Sequence, residues 1–152
     1  MERKLRILTY IHTQASPTWN EKVTLLQTKP GIINSIILAF KLYFKKKDYD
    51  LVVISGEKPG IFFSLLQTIL PFRKTPSIMI GSLFYRAKNP LRRYLKRVQL
   101  KLMSKSVHFF LVWAKREITD YSIEFGIPVE KFKFFPYHTT CEVYDCPVRK
   151  GD

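Results

Sequence analysis

The polarity of the chain changes period several times. Residues 4–10 (KLRILTY) form a short apolar run of the kind a buried strand uses. Residues 23–26 predict a second strand, and Pro30 with Gly31 marks a turn behind it. Residues 33–47 predict a helix, because the apolar positions 33, 36, 37, 40 and 44 share one helical face. Residues 50–55 (DLVVIS) are apolar without alternation, which suits a strand buried on both faces. Gly56 and Pro59 bracket the next turn, and Pro59 suits a first helical position. Residues 60–70 then predict a strongly buried helix. A strand follows at 77–80 (SIMI), ended by Gly81. Residues 90–104 predict a helix with Leu91, Leu95, Val98 and Leu102 on one stripe. Residues 108–112 (HFFLV) predict a strand, and 115–125 a helix stopped by Gly126 with Pro128 just beyond. Residues 133–135 predict a last short strand.

Strands that do not alternate in polarity, separated by helices, predict an α/β fold: a Rossmann-like parallel sheet with helices on both faces. The chain shows no internal repeat, low-complexity segment or linker, so residues 1–140 are expected to form one domain. Residues 141–152 lose periodicity and gain charge, and are expected to be a crossover or tail. The length of 152 residues suits this reading. A chain of that size buries roughly 70% of its unfolded surface.

Composition narrows the class. Hydrophobic residues make up 46% of the chain and charged ones 25%, which is globular and unlike a disordered basic tail. Cys141 and Cys146 are too few for a disulfide scaffold or a four-ligand zinc site, so no metal is expected. The N-terminus is charged (Glu2, Arg3, Lys4, Arg6) without a long apolar stretch behind it, so no signal peptide is expected. The apolar runs 32–44 and 60–72 are short of the ~20 residues that cross a bilayer. They predict buried or interfacial helices.

Charge changes the picture most. The formal net charge is +14. No acidic residue lies between Glu57 and Glu117, while Lys and Arg recur throughout that stretch. Such a region attracts phosphate on lipid, nucleotide or nucleic acid, or is simply a soluble basic face. In the 90–104 helix, Arg92, Arg93, Lys96, Arg97 and Lys101 lie off the apolar stripe. That pattern fits an interfacial helix on an anionic membrane surface. It fits equally a helix packed on the sheet with its polar side outward. Phe84, Tyr85 and Tyr94 beside Arg86, Arg92 and Arg93 favour the membrane. Nucleic acid ranks lower as a partner, because no RNP, helix-turn-helix or zinc motif accompanies the charge.

Candidate chemistry sits at the carboxyl ends of the strands, where open parallel sheets bind ligands. The chain contains no GxGxxG, GxxxxGK[ST] or GxSxG motif. The positions at those ends include His12, Gly56, Glu57, Lys58, Gly81, Ser82 and Trp113. Gly56 and Gly81 can let backbone approach a ligand or can merely relieve a turn. His12 is a candidate base, whereas His108, opening an apolar strand, reads as structural and His138 as solvated. Glu57 can act as a base or orient a hydroxyl, or can pair with Lys58.

From residue 50 onward the chain resembles the N-terminal half of GT-B glycosyltransferases of the group 1 (family 4) class. Residues 107–137 carry the resemblance: Phe125-Gly126-Ile127-Pro128, then Glu130-Lys131-Phe132, then Phe135-Pro136. The resemblance implies an acceptor-binding half of a two-domain enzyme acting on a lipid-linked or membrane-surface saccharide. Combined with the strand-end positions, it places an acceptor at Gly56, Lys58, Gly81, Ser82, Arg86 and Trp113, with His12 and Glu57, read from those positions, as the catalytic candidates. It also implies a place on the cytoplasmic membrane face, with Arg92, Arg93, Lys96, Arg97 and Lys101 toward the lipid. The nucleotide-sugar donor would bind a C-terminal domain or second subunit, so no cofactor is expected on this chain and the chain alone is expected to be inactive. Three places depart from the family: residues 10–18 contain no Gly, the first helix is short or missing, and Tyr137-His138-Thr139-Thr140 replaces an Asn-Gly-Val-Asp pattern. The alternative is a non-catalytic basic α/β module that docks on membrane or on a partner protein.

Overall fold

The computed structural model describes residues 5–11, 22–27, 29–70, 75–81 and 88–135. Strand β1 (Ile7–Thr9) leads to β2 (Val23–Leu25), helix α1 (Ile32–Lys45) and a 3-10 turn (Lys46–Asp48). Then come β3 (Leu51–Ser55), α2 (Lys58–Ile69), β4 (Ser77–Ile80), α3 (Pro90–Met103), β5 (Phe109–Val112) and α4 (Lys115–Phe125). A second 3-10 turn (Val129–Lys131) feeds β6 (Phe132–Phe134). The six strands form one sheet in the order β2-β1-β3-β4-β5-β6, and every pair is parallel. This is a Rossmann-like α/β fold with an all-parallel sheet. Its strand order reverses between β1 and β3.

The local signals explain the helix ends. Asn89 caps α3 by accepting from the backbone N–H of Leu91 and Arg92, and Pro90 opens the helix. Glu117 folds back on α4, its Oε2 accepting from the N–H of Trp113 and Ala114 at 3.0 Å each. Gly126 ends α4 at φ 63°, the left-handed conformation that favours glycine. The Ser122 hydroxyl then holds the Ile127 carbonyl at 2.8 Å.

Register assigns the two faces of the sheet. Leu8 sits beside Val52, Val52 beside Ser77, Ile54 beside Met79, Met79 beside Phe110, and Phe110 beside Phe132. Register partners in a parallel sheet point the same way, so these residues share one face. They form a single core with Leu38 and Leu42 of α1, Phe63 of α2, Leu100 and Met103 of α3, and Phe125 of α4. All four described helices therefore cover that face. The helices lie in a row, α1 against α2, α2 against α3, α3 against α4. Right-handed crossovers running one way along a sheet place helices together in this manner. On the opposite face Ile7, Thr9 and Val53 are buried, Ile78, Ile80 and Leu111 are half-buried, and Phe109 is exposed. Of the two helix layers expected, the described residues supply one.

The helices turn unexpected sides inward. In α1 the buried residues are Ser35, Leu38, Ala39, Leu42 and Tyr43. The stripe read from spacing, Ile33, Ile36, Ile37, Phe40 and Phe44, is exposed. In α3 the buried residues are Leu100 and Met103, whereas Leu91, Leu95, Val98 and Leu102 are exposed. Of the two readings left open for α3, the one with that stripe packed on the sheet is the one the structure rules out. Small side chains explain part of the choice. Ser35, Ala39, Gly60 and Ser64 are all buried along the tightly packed α1–α2 pair. The Ser35 and Ser64 hydroxyls are satisfied by the carbonyls of Gly31 and Gly60, each at 2.8 Å.

A polar network crosses the core near the amino ends of the strands. Lys46 is 2% exposed, donates to Gln67 Oε1 at 3.1 Å and lies over the Tyr43 ring at 4.0 Å. Gln67 reaches Ser77 Oγ, which donates to the Ser106 carbonyl at 3.2 Å. Burial pushes the Lys46 ammonium down to about 8.

Candidate functional site at the carboxyl edge of the sheet

The strand-order reversal places the ligand crevice of such a fold between the carboxyl ends of β1 and β3. Tyr10 follows β1 directly, and its side chain falls on the core face. Its hydroxyl accepts the Ser55 N–H at 3.0 Å, lies 2.7 Å from Ser55 Oγ and donates toward the Ser55 carbonyl at 3.2 Å. Gly60 of α2 lies close beside it. Burial and the neighbouring Glu57 charge both push the Tyr10 phenol above its ordinary value.

Helix N-termini in doubly wound sheets commonly cradle phosphate with backbone N–H groups. Here the Tyr10 phenol, bonded to Ser55, packs against the first turn of α2 beside Gly60. Gly60 makes this packing possible. A Cβ there would lie 2.0 Å from the Ser55 carbonyl oxygen and 2.8 Å from Tyr10 Oη.

The sequence-derived positions stand around this contact. Gly56 is buried and donates to the Ile80 carbonyl at 3.3 Å, which brings it beside Gly81. Glu57 and Lys58 are exposed at the start of α2. The Glu57 N–H lies 3.4 Å from Ser55 Oγ. Gly81 takes φ +61°, the left-handed conformation that favours glycine, so it serves the turn that ends β4. At the end of β5, Trp113 is 40% exposed and its ring meets Phe135 edge-on at 6.0 Å. The edge thus carries a carboxylate and an ammonium behind β3 and a half-exposed indole behind β5, with β4 and Gly81 between them. His12, Ser82 and Arg86 lie outside the described residues, as do Phe84, Tyr85, His138 and residues 136–152. Among the described residues no group of three or more His, Cys, Asp or Glu could hold a metal ion.

Two open cavities of about 370 Å³ lie elsewhere. One is at the amino edge, lined by Arg6, Lys22, Asp48 and Tyr49 among others. The other lies between the end of β2 and α1, lined by Gln27, Lys29, Asn34, Ile37, Leu38 and Lys41.

The five cations of α3 are not equivalent. Arg97 Nε donates to the Glu124 carbonyl at 2.8 Å, and Arg93 Nε lies 3.7 Å from the Glu124 carboxylate. Both tie α3 to the last turn of α4. Lys96 is half-buried, and burial lowers its pKa. Arg92 and Lys101 are exposed.

Sequence reasoning passed over three contributors. Tyr10 was visible only as the end of an apolar run. Lys46 stood in a Lys45-Lys46-Lys47 run that reads as solvated. The outward stripes of α1 and α3 were visible as spacing, which does not say which way a face points.

Among the described residues no helix is long and apolar enough to cross a membrane. Compared with protein-family models, with curated proteins and with solved structures, the chain matches none of them.

Proposed function

We propose that this chain is the acceptor-binding half of a glycosyltransferase for polysaccharide assembly, acting on a lipid-linked or membrane-surface saccharide. The observation that carries the reading is the β5–α4–β6 unit. Its Phe125-Gly126-Ile127-Pro128 turn closes α4 through a left-handed Gly126, buries Ile127, and passes through a 3-10 turn into β6. That is the segment on which the resemblance to GT-B enzymes rests. The carboxyl edge supports it with polar groups suited to sugar hydroxyls, Glu57 and Lys58, and with an indole suited to a sugar face, Trp113.

In this reading Glu57 accepts or orients an acceptor hydroxyl, and His12 is the second candidate for proton transfer. Gly56, Lys58, Gly81, Ser82, Arg86 and Trp113 line the acceptor. The Tyr10 phenol against the first turn of α2 takes up room beside that helix end, which supports a nucleotide-sugar site on a second domain or partner chain. The place of work is the cytoplasmic face of the inner membrane.

The test is amide NMR with a panel of short-chain lipid-linked mono- and disaccharides, and with UDP-hexoses. The reading expects saccharide-dependent shifts at residues 9–11, 55–58, 81 and 113–114, and none with UDP-hexose. Shifts that ignore the saccharide, or UDP-hexose binding at this edge, would overturn it. The outer surface of the helix layer favours a second reading, a non-catalytic docking module. That reading expects no saccharide dependence at all.

A further inference from the structure

The outer surfaces of α1, α2 and α3 form one continuous apolar layer. Viewed down α1, Ile33, Ile37, Phe40 and Phe44 lie opposite the buried Leu38 and Leu42. Ile33 is 70% exposed and Phe44 67%, and Phe40 stacks on Phe44 at 6.4 Å. On α3 the opposite-side residues are Leu91, Tyr94, Leu95, Val98 and Leu102, with Leu95 57% exposed. Between them α2 presents half-buried Phe62 and Leu65 and a 71%-exposed Ile69. Hydrogen bonds tie the three helices together. Tyr43 of α1 donates to the Leu70 carbonyl at 2.6 Å, and Thr68 of α2 donates to the Leu102 carbonyl at 3.1 Å.

A soluble helix layer normally turns charge outward. This one has no acidic residue in any of the three helices. Its flanks carry exposed Lys41, Lys45, Lys47, Arg92, Lys101 and Lys105. Exposed apolar stripes bounded by cations, with no carboxylate to repel phosphate, complement an anionic bilayer interface.

We infer that the outer surface of α1–α3 lies in the interface of a membrane containing anionic phospholipid, with the apolar stripes among the acyl chains and the flanking cations at the headgroups. This deepens, and for its biological sense rests on, the membrane-surface acceptor proposed above. It moves the docking device from the five α3 cations to two outward stripes on two helices. Arg93 and Arg97 are spent on α4. The carboxyl edge is a separate surface, so a docked chain keeps its crevice open to a saccharide and to a second domain.

The experiment is flotation of the purified chain with phosphatidylcholine vesicles, with and without phosphatidylglycerol, for the natural sequence and for Ile37→Ser, Phe44→Ser, Leu95→Ser and Lys101→Glu. The expected result is co-flotation that needs phosphatidylglycerol, weakened on the order of tenfold by each apolar-to-Ser change. Arg116→Glu on α4 is the control and is expected to float unchanged. Circular dichroism checks that each variant folds. Equal flotation with phosphatidylcholine alone overturns the anionic-lipid assignment. No flotation, with self-association lost in the same variants, overturns it in favour of a second copy as occupant. The assay reads no sugar chemistry, so failure of the transferase reading leaves its outcome intact.

Discussion

Helices α1 and α4 cover the same face of the same sheet yet differ in what they turn away from it. The outer side of α4 carries Lys115, Arg116, Thr119 and Asp120, and Arg116 pairs with Asp120 at 3.6 Å. Ile123 is a lone apolar residue among them. The outer side of α1 carries Ile33, Ile37, Phe40 and Phe44, and its inner side accepts Ser35 and Ala39. So α4 obeys the usual rule for an amphipathic helix, and α1 inverts it. Burial beneath α1 is governed by how closely two helices approach. Small residues on α1 and α2 permit that approach, and the larger apolar side chains face outward. An inversion repeated on α3 is not a packing accident. Exposed apolar area of this kind is what the proposed membrane docking would use.

Substitutions can break this comparison or sharpen it. The largest effects belong to the inner surface. Phe63→Ala, at a fully buried position, should cost about 3–5 kcal/mol in urea unfolding. Gly60→Ala should be comparably damaging, because the added carbon meets backbone at 2.0 Å and backbone cannot rotate away. A Gly60→Ala protein of natural stability would refute the tight α2–β3 contact.

Next comes the buried ammonium. Below a pH of about 8 the folded chain carries Lys46 charged, and the unfolded chain keeps that proton up to 10.5. The unfolded state binds more protons between those values, so stability should rise with pH across that window. Lys46→Met should reduce the rise, read as the urea midpoint against pH, and leave the part contributed by Lys96, whose pKa burial also lowers. Tyr121, pushed up to about 12 by burial and by its bond to Glu117, works the other way: stability it contributes below pH 10 is lost as pH climbs toward 12. Confining the scan below pH 10 separates the two groups.

Smaller effects belong to the rim and the outer surface. Arg97→Ala removes the clamp on the Glu124 carbonyl and should cost roughly 1 kcal/mol. The outer-surface pair should be the sharpest contrast. Phe44→Ser should shift stability by no more than about 0.5 kcal/mol while weakening vesicle binding, because that side chain has little of the core to lose. Arg116→Ala should change neither by a measurable amount, since its ion pair is exposed on both sides. Large destabilisation by Phe44→Ser would mean that α1 does not sit outward.

Much of the fold was legible in the chain. The β-branched run 51–55, the SIMI strand and the α4 helix between Ala114 and Gly126 carry strong local signals, and they form where those signals place them. Parallel pairing followed from strands that do not alternate. Helix orientation was not legible, because periodicity locates an apolar stripe without saying whether it faces the sheet or away from it. Lys46 was hidden for a similar reason: a run of three lysines reads as solvent-facing, and only the 3-10 turn that ends α1 rotates the middle one inward. The placement of Gly56, Glu57, Lys58, Gly81 and Trp113 at the carboxyl edge was legible from the strand boundaries alone. Tyr10 was not, because its role depends on a contact to Ser55 that is 45 residues away in the chain.

One measurement bears most directly on the account. Hydrogen exchange would be followed on the chain docked to phosphatidylglycerol-containing vesicles, with and without a lipid-linked disaccharide in the bilayer. The account predicts that vesicles alone slow exchange along α1 and α3 and leave α4 unchanged, and that the disaccharide adds protection at residues 9–11 and 55–60. Protection of α4 in place of α1 and α3, or no added protection at the carboxyl edge from the disaccharide, would contradict it.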